Sequence, residues 1–222
     1  MSIDDSGDVV FKLIFDINAL PEYFSDVKAA LIDIPIGLHT QHPEQSVCDK
    51  QARAVLSSLR HESVFPAPSR CAFSCQTYEK ANFRNRESTG RGLSRHRFVI
   101  MQKNREVEPM LRAGQHEYVI HGMHPEVCFW ALNGNKPMAY SKRTDEGFIE
   151  RMAISRQYFA SSQQVIDDAK RDHRRTDLAR DDIVDALVGT VCARNYPALS
   201  QFPNHTEIDD EGLPMEIMYR QP

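Results

Sequence analysis

Apolar residues along the chain form runs that are typical of strands. Val9–Phe15 is β-branched and aromatic and predicts a strand, while the unbroken apolar run Ala29–Ile32 predicts a parallel strand covered on both faces. A short predicted helix from Asn18 to about Lys28 lies between them, so the three elements would form a right-handed crossover unit. Two further short strands are predicted at Tyr118–His121 and Met215–Tyr219.

Apolar residues at helical spacing predict six longer helices. In the first of them, Cys48–Arg60, Ala52, Leu56 and Leu59 share one face. A glycine-rich loop is predicted at Glu87–Leu93, and Ser94 would cap the helix that follows it. The other predicted helices are Arg70–Phe83, Ser94 to about Leu111, Pro125–Leu132, Asp145–Tyr158 and Arg180–Arg194. Strands and helices in this order predict an α/β fold.

The composition is that of an ordinary globular protein. The length of 222 residues suits one large domain, and because no linker divides the chain we predict a single domain over residues 1–222. Residues 1–8 are acidic and polar, so we expect a disordered tail there and not a signal peptide. Five cysteines without a C-x-x-C pair predict reduced thiols, and no apolar run is long enough for a membrane span. We therefore expect a cytoplasmic protein with no membrane partner.

Asp33 is the most informative single residue of the sequence. It follows four apolar residues at the predicted end of a parallel strand, where open α/β sheets bind their ligands. A carboxylate in that position is costly to bury unless it is paired or bound to a metal. The alternative is that Asp33 only caps the turn formed by Pro35, Ile36 and Gly37.

Three more carboxylates lie on one face of a predicted helix. At 100° per residue, Asp181, Asp182 and Asp185 fall within one arc of about 100°. Their mutual repulsion raises their proton affinity unless a cation relieves it, and oxygen ligands of this kind suit Mg²⁺ or Mn²⁺. The alternative is helix capping, which explains Asp181 and Asp182 better than Asp185.

Other residues are weaker candidates. His124-Pro125-Glu126 begins a predicted helix directly after a strand, which is either a site element or a plain helix start. Because the net charge is −4, nucleic-acid binding would need a local basic patch. One basic stretch runs from Lys80 to Arg97 with Phe83 among its members, so it could hold phosphates and a stacked base, although a solvated helix face also explains it. A second basic cluster consists of Lys170, Arg171, Arg174 and Arg175.

Several of these segments, taken in order, resemble one family. The resemblance covers about Asp33 to Tyr219 and is to the family known as domain of unknown function 429, whose members are regarded as predicted nucleases with a ribonuclease-H-like fold. The segments that carry it are Ile32–Leu38, Cys48-Asp49-xx-Ala52-Arg53, Ser63–Pro68 with Arg70, Gly90-xx-Leu93-Ser94, Lys103-xx-Glu106-Val107, His124–Val127 with Trp130, Ser141-Lys142 with Gly147, Asp182-xx-Asp185-Ala186 and Asp210-xx-Gly212–Met215.

The resemblance implies a three-layer fold with a mixed sheet and helix-rich insertions. It also implies that Asp33, Asp182 and Asp185 hold two divalent ions, Mg²⁺ or Mn²⁺, which activate a water and stabilise the leaving oxygen of a phosphodiester. Glu126 would be an additional ligand or proton carrier. Arg53, Arg70 and Lys103 are the basic residues that the family pattern favours for contact with phosphate.

The sequence departs from the family pattern in two places. Family members usually begin with a hairpin that bears a G-x-D-G-like element, whereas the first strand here corresponds to the third, so we expect the first β-hairpin to be missing. Strands left exposed by that loss would need another partner, and a second copy of this chain is one candidate. Gly122 stands two residues before His124, where an acidic residue is expected.

The leading hypothesis is a metal-dependent phosphodiesterase acting on nucleic acid. The alternative is a catalytically inactive ribonuclease-H-like protein with a binding or structural role. A third hypothesis is hydrolysis of a small phosphorylated metabolite. Which of them holds depends on whether the carboxylates still form a site.

Overall fold

Helices surround three small pairs of strands. The computed structural model describes residues 1–24, 27–40, 46–114, 118–174 and 176–222. The strands are β1 (Ser2–Ile3), β2 (Val9–Val10), β3 (Ala29–Ile32), β4 (Val119–Gly122), β5 (Ser200–Ile208) and β6 (Pro214–Tyr219). The helices are α1 (Leu20–Tyr23), α2 (Val47–Arg60), α3 (Arg70–Phe73), α4 (Tyr78–Thr89), α5 (Arg95–Ala113), α6 (Pro125–Leu132), α7 (Asp145–Tyr158), α8 (Ser162–Asp172) and α9 (Arg180–Ala193). Short 3₁₀ turns occur at Ile17–Ala19 and His61–Ser63.

The parallel pair of β3 and β4 is the element that positions Asp33. Ala29 pairs with Val119 and Ile32 with Gly122, so both strands end at the same edge. Directly after β4, Met123 makes a parallel bridge to Met218, which places β6 beside this pair. β6 in turn pairs with β5 in antiparallel fashion. The prediction of a parallel strand at Ala29–Ile32 is confirmed.

The N-terminal part differs from the predictions. Only Val9–Val10 of the predicted strand is extended, and it pairs with Ser2–Ile3 inside the segment that we expected to be a disordered tail. Met1 and Ile3 pack against the main core, which explains why this segment is ordered. The predicted crossover from Val9–Phe15 to β3 is wrong, because the described partner of β3 is β4.

Most of the predicted helices occur close to their predicted bounds. Ser46, Ser94 and Thr144 cap α2, α5 and α7 with their side-chain oxygens, which satisfy first-turn backbone N–H groups. The predicted helix Arg70–Phe83 is instead two helices, because the chain leaves α3 at Ser74 and Thr77 caps a new start at α4. α8 and β5 were not predicted.

The main core lies between α2, α6, α7, α8, α9 and the strands β5 and β6. α6 is buried along its whole length, and α9 packs against α6, α7, α8 and β3. The predicted α/β class is confirmed. The described strands form three two-stranded sheets and not one mixed sheet, so the ribonuclease-H-like three-layer arrangement stays a prediction. In the described ranges no helix is both long and apolar enough to cross a membrane.

Candidate functional site

A cavity of about 510 Å³ opens at the edge where β3 and β4 end. Its walls come from the turn after β3, both ends of α2, the connector 61–68, the first turn of α5, the start of α6, the turn before α7, the start of α9, and β6. The charged and titratable residues of its wall are Asp33, Cys48, Asp49, Arg60, Glu62, His96, Arg97, His124, Glu126, Lys142, Arg143, Asp181, Asp182 and Glu216. Carboxylates and cations from distant parts of the sequence therefore share one space.

Asp33 lies just beyond the end of β3 and faces this cavity. Within the described part of the chain, its carboxylate makes no hydrogen bond and no ion pair. Loss of solvation among the surrounding protein atoms raises the pKa of Asp33 to about 8, the charges of Asp185 and Asp182 add to the rise, and the Lys142 ammonium opposes it. The side chain is exposed within the cavity, so a ligand can reach it. Asp33 is therefore an accessible carboxylate that lacks a counter-charge of its own.

Lys142 supplies the nearest positive charge. Its Nζ donates to Asp185 Oδ2 at 2.6 Å and lies 3.9 Å from Asp181 Oδ2. Burial raises the pKa of Asp185, while the ammonium of Lys142 opposes that rise. Burial by itself would lower the pKa of Lys142, but the charges of Asp185 and Asp33 raise it overall. The ammonium thus partly neutralises a group of carboxylates that would otherwise repel one another.

The acidic face of α9 is arranged as its helical spacing predicts. Asp181 and Asp182 line the cavity, and Asp185 is buried one turn further along the helix. Asp182 also accepts a long hydrogen bond of 3.4 Å from Ala179 N, so capping explains part of its position. Asp185 has no such role, and its contact is with Lys142. The structure brings Asp33, Asp182 and Asp185 close enough for their charges to act on one another.

Glu126 is held by a buried arginine. Arg151 Nη2 donates to Glu126 Oε1, and Arg151 Nη1 donates to Tyr140 O at 3.1 Å and to Gly147 O at 3.0 Å. The Arg151 side chain is only 1% exposed. Glu126 Oε2 is buried and has no hydrogen-bond partner among the described residues. Glu126 therefore lies in the wall of the cavity, but its contact with Arg151 is a structural one.

His124 caps the start of α6. Its Nδ1 accepts from Glu126 N at 3.2 Å, which assigns the ring proton to Nε2, and Nε2 donates to Ser63 O at 3.2 Å. Burial lowers the pKa of His124 to about 4 and the charge of Lys142 acts in the same direction, although the hydrogen bond to Ser63 opposes them. At neutral pH the ring is uncharged, and it fixes α6 to the connector.

One known protein family matches most of the chain. The family described as Protein of unknown function (DUF429) matches residues 3–207. The chain belongs to this family. Searches among curated proteins and among solved structures found no match.

Gly122, where the resemblance led us to expect an acidic residue, lies in a crowded part of this DUF429 chain. A Cβ on Gly122 would lie 3.1 Å from Glu216 O and 3.4 Å from Ile34 O. The backbones of β4, β6 and the turn after β3 approach one another closely at this point. A side chain at position 122 would therefore fit only if the neighbouring backbone moved by a few tenths of an ångström.

The three basic residues that the family pattern favours do not line the cavity of the DUF429 chain. Arg53 Nη1 donates to His61 O at 2.8 Å and to Val64 O at 2.7 Å. Arg70 is bound by Glu108 at 2.5 Å and by Asp209, and Lys103 pairs with Glu106 at 2.9 Å on the surface of α5. These contacts indicate structural roles, so the prediction of phosphate binding gains no support from them.

Most residues of the two basic stretches also lie outside the cavity wall. Of the stretch from Lys80 to Arg97, the cavity wall contains only His96 and Arg97, and the exposed Phe83 lies outside it. Arg171 of the second cluster pairs with Asp168 and Asp172 on α8, and Arg175 lies outside the described residues. The sequence analysis gave Lys142 no role of its own, although Lys142 stands in one of the family-like segments. It included Arg97 only as the last member of the basic stretch that could hold phosphates.

Carboxylate oxygens of this kind are suitable ligands for Mg²⁺ or Mn²⁺. However, the described ranges contain no group of three or more histidine, cysteine, aspartate or glutamate side chains that converge as metal ligands. One oxygen of Asp185 is already bound to Lys142. The donor chemistry therefore fits a divalent cation at Asp33, whereas the positions of the side chains do not support a two-metal centre.

Proposed function

We propose that this protein hydrolyses phosphodiester bonds of nucleic acid with the help of one divalent cation, Mg²⁺ or Mn²⁺, bound at Asp33. The observation that carries the proposal is the state of Asp33. It is a carboxylate without a partner among the described residues, it faces the cavity, and loss of solvation together with the charges of Asp185 and Asp182 raises its proton affinity. A cation would relieve that repulsion.

The arrangement of the elements supports a ribonuclease-H-like interpretation. β3 and β4 are parallel neighbours, β6 lies beside them, and α9 packs against β3. This arrangement brings Asp33, at the end of a strand, near carboxylates on the last helix. In open α/β sheets, ligands bind at this end of the strands.

Asp33 would hold the cation together with Asp182, which is exposed at the cavity wall. When bound, such a cation supplies a Lewis acid that stabilises negative charge on a phosphate group. Lys142 would then be released in part from the carboxylates, and its ammonium would be available to bind a phosphate oxygen. Arg151 and His124 hold α6 in place and so fix this part of the cavity wall.

The second candidate function is binding of a partner without catalysis of a reaction. The Lys142–Asp185 ion pair favours it, because the ammonium already compensates part of the acidic charge without a metal. The engagement of Glu126 by Arg151 favours it as well, since it removes one candidate ligand or proton carrier.

A calorimetric Mn²⁺ titration distinguishes the two candidates. The unmodified chain is expected to show saturable binding, and Asp33→Asn and Asp182→Asn are each expected to weaken it by at least about tenfold, since each removes a charged ligand. Asp167→Asn is the matched control, because Asp167 is an exposed carboxylate of α8 outside the cavity wall.

Cleavage of labelled single-stranded and duplex DNA and RNA in the presence of Mn²⁺ should then show the same dependence on Asp33. If the folded chain binds no Mn²⁺, or if all three variants bind it as well as the unmodified chain does, the metal-dependent function is wrong and the binding protein is the better account.

A further inference from the structure

Phe65 is an exposed aromatic residue on a rigid segment of the cavity wall. It lies in the connector between α2 and α3, and 48% of it is exposed. Its neighbours Pro66 and Pro68 restrict the backbone, because proline fixes φ. A single exposed apolar residue is ordinary in a folded protein, so the exposure alone decides nothing.

The connector around Phe65 is fixed from several sides. Arg53 binds Val64 O at 2.7 Å on one side of Phe65, and on the other side the buried Asp49 accepts from Ala67 N at 3.1 Å. Further along, the buried Asn85 accepts from Ser69 N at 2.9 Å. Side chains from α2 and α4 thus hold a short loop in one conformation. A ligand that contacts Phe65 would lose little free energy in ordering this loop.

The guanidinium of Arg97 lies against the Phe65 ring. Arg97 Cζ is 5.3 Å from the centroid of the Phe65 ring, and the His96 ring meets the Phe65 ring in an edge-to-face arrangement with centroids 6.1 Å apart. Within the described part of the chain, the Arg97 guanidinium makes no hydrogen bond and no ion pair, and its Nε is buried without a partner. Arg97 is therefore a partly buried cation that faces the cavity with unused donors.

Phosphate and an aromatic base are the two groups that this pair would recognise. A guanidinium binds phosphate oxygens through parallel N–H donors, and a first helical turn, in which Arg97 lies, also favours an anion. An exposed aromatic ring stacks on a nucleobase only when the base is unpaired and turned out of a helix. A double helix keeps its bases stacked on one another, so it could offer only its phosphates here.

We infer that Phe65 and Arg97 form a nucleotide subsite that stacks an unpaired base on the Phe65 ring and binds the adjacent phosphate through the Arg97 guanidinium, so that the substrate of the cavity is single-stranded nucleic acid. The inference rests on the proposed function for the identity of the polymer, but not for the binding itself. Asp33 and the subsite line the same cavity, so a strand held at Phe65 extends towards the carboxylates.

The test is binding of a short, fluorescein-labelled single-stranded DNA of mixed sequence to the full chain, measured by anisotropy in EDTA. Without divalent cations no metal-dependent cleavage occurs, so failure of the nuclease proposal does not affect the result. Phe65→Leu is expected to weaken binding by about fivefold or more, given the usual contribution of base–aromatic stacking, whereas Phe65→Trp should preserve it. Arg97→Gln should weaken binding and lower the salt dependence by roughly one phosphate contact.

Two matched controls keep the test specific. Phe83→Leu changes a phenylalanine of α4 that is more exposed than Phe65 and lies outside the cavity wall, and Arg84→Gln changes a surface arginine paired with Glu87. Both should bind the single strand as the unmodified chain does, and a duplex of the same sequence should bind more weakly and not respond to Phe65→Leu. The inference is wrong if the single strand does not bind, if Phe83→Leu weakens binding as much as Phe65→Leu does, or if the duplex binds as tightly as the single strand.

Discussion

The buried pair of Arg151 and Glu126 gives the sharpest prediction about how the cavity wall is held. Replacing Arg151 by methionine keeps an unbranched side chain of similar length but removes the charge. The variant loses the contact to Glu126 and the donors to Tyr140 O and Gly147 O. Glu126 would then be a buried carboxylate with neither of its oxygens paired to a cation.

The expected loss of stability follows from the burial of both partners. Breaking a buried ion pair by removing one partner costs about 3–5 kcal/mol, because the remaining charge is left without compensation. For a chain of this size, 1 kcal/mol corresponds to roughly 2–4 °C in Tm, so we expect Tm to fall by roughly 6–20 °C. Removing both charges together, in Glu126→Leu with Arg151→Met, should cost much less than the single change.

Urea unfolding followed by circular dichroism measures these differences in one double-mutant cycle. A positive coupling of at least about 2 kcal/mol would show that the two side chains stabilise the fold as a unit. If Arg151→Met costs less than about 1 kcal/mol, or if the two changes are additive, then the pair does not hold α6 to α7, and Glu126 would again be a candidate for a role in chemistry.

Two further predictions concern the carboxylates of the cavity. The pKa of Asp33 is raised to about 8 in the folded chain, whereas it is about 3.9 in the unfolded chain. Between these two pH values the folded state keeps a proton that the unfolded state releases. The stability that this proton contributes is therefore lost as pH rises from about 4 to about 8. Asp33→Asn in EDTA should therefore raise Tm more at about pH 8 than at about pH 5 in a thermal melt, and an equal Tm difference at both values would contradict the pKa direction. Lys142→Gln removes the ammonium that pairs with Asp185 and acts on Asp33, so a cation at Asp33 is repelled less. Calorimetry should therefore show tighter Mn²⁺ binding than in the unmodified chain, and unchanged or weaker binding would mean that the charge of Lys142 does not compete with the cation.

The sequence predicts the elements best where capping and apolar spacing agree. α7 and α6 have their predicted bounds, and Ser94 caps α5 as expected. The pattern is less informative where a strand is stabilised mainly by its partner, since β5 includes Pro203 and several polar residues but pairs along β6. α8 was not predicted although Val165, Ile166 and Ala169 have helical spacing and are buried in the core.

The acidic half of the candidate site could be predicted for a physical reason. The sequence shows a carboxylate directly after a buried strand and two carboxylates three residues apart on a helix, and both patterns cost free energy unless the charges are compensated. The structure places Asp33, Asp182 and Asp185 close enough for their charges to interact. The cations could not be assigned in the same way. The sequence around Arg53, Arg70 and Arg97 does not distinguish their roles. The fold shows that backbone oxygens or carboxylates bind the first two guanidinium groups, whereas among the described residues no such group binds that of Arg97.

The charges of the cavity also connect the two proposals. The carboxylates and Lys142 come from the strand end, α9 and the turn before α7, whereas Arg97 and Phe65 come from α5 and the connector. A polymer of phosphates would be repelled by the carboxylates unless a cation neutralised them, and it would be attracted by Arg97 with or without that cation. A single strand should therefore bind more tightly in Mn²⁺ than in EDTA if both proposals hold. It should bind equally in the two conditions if Lys142 already compensates the charge of Asp185 and its neighbours.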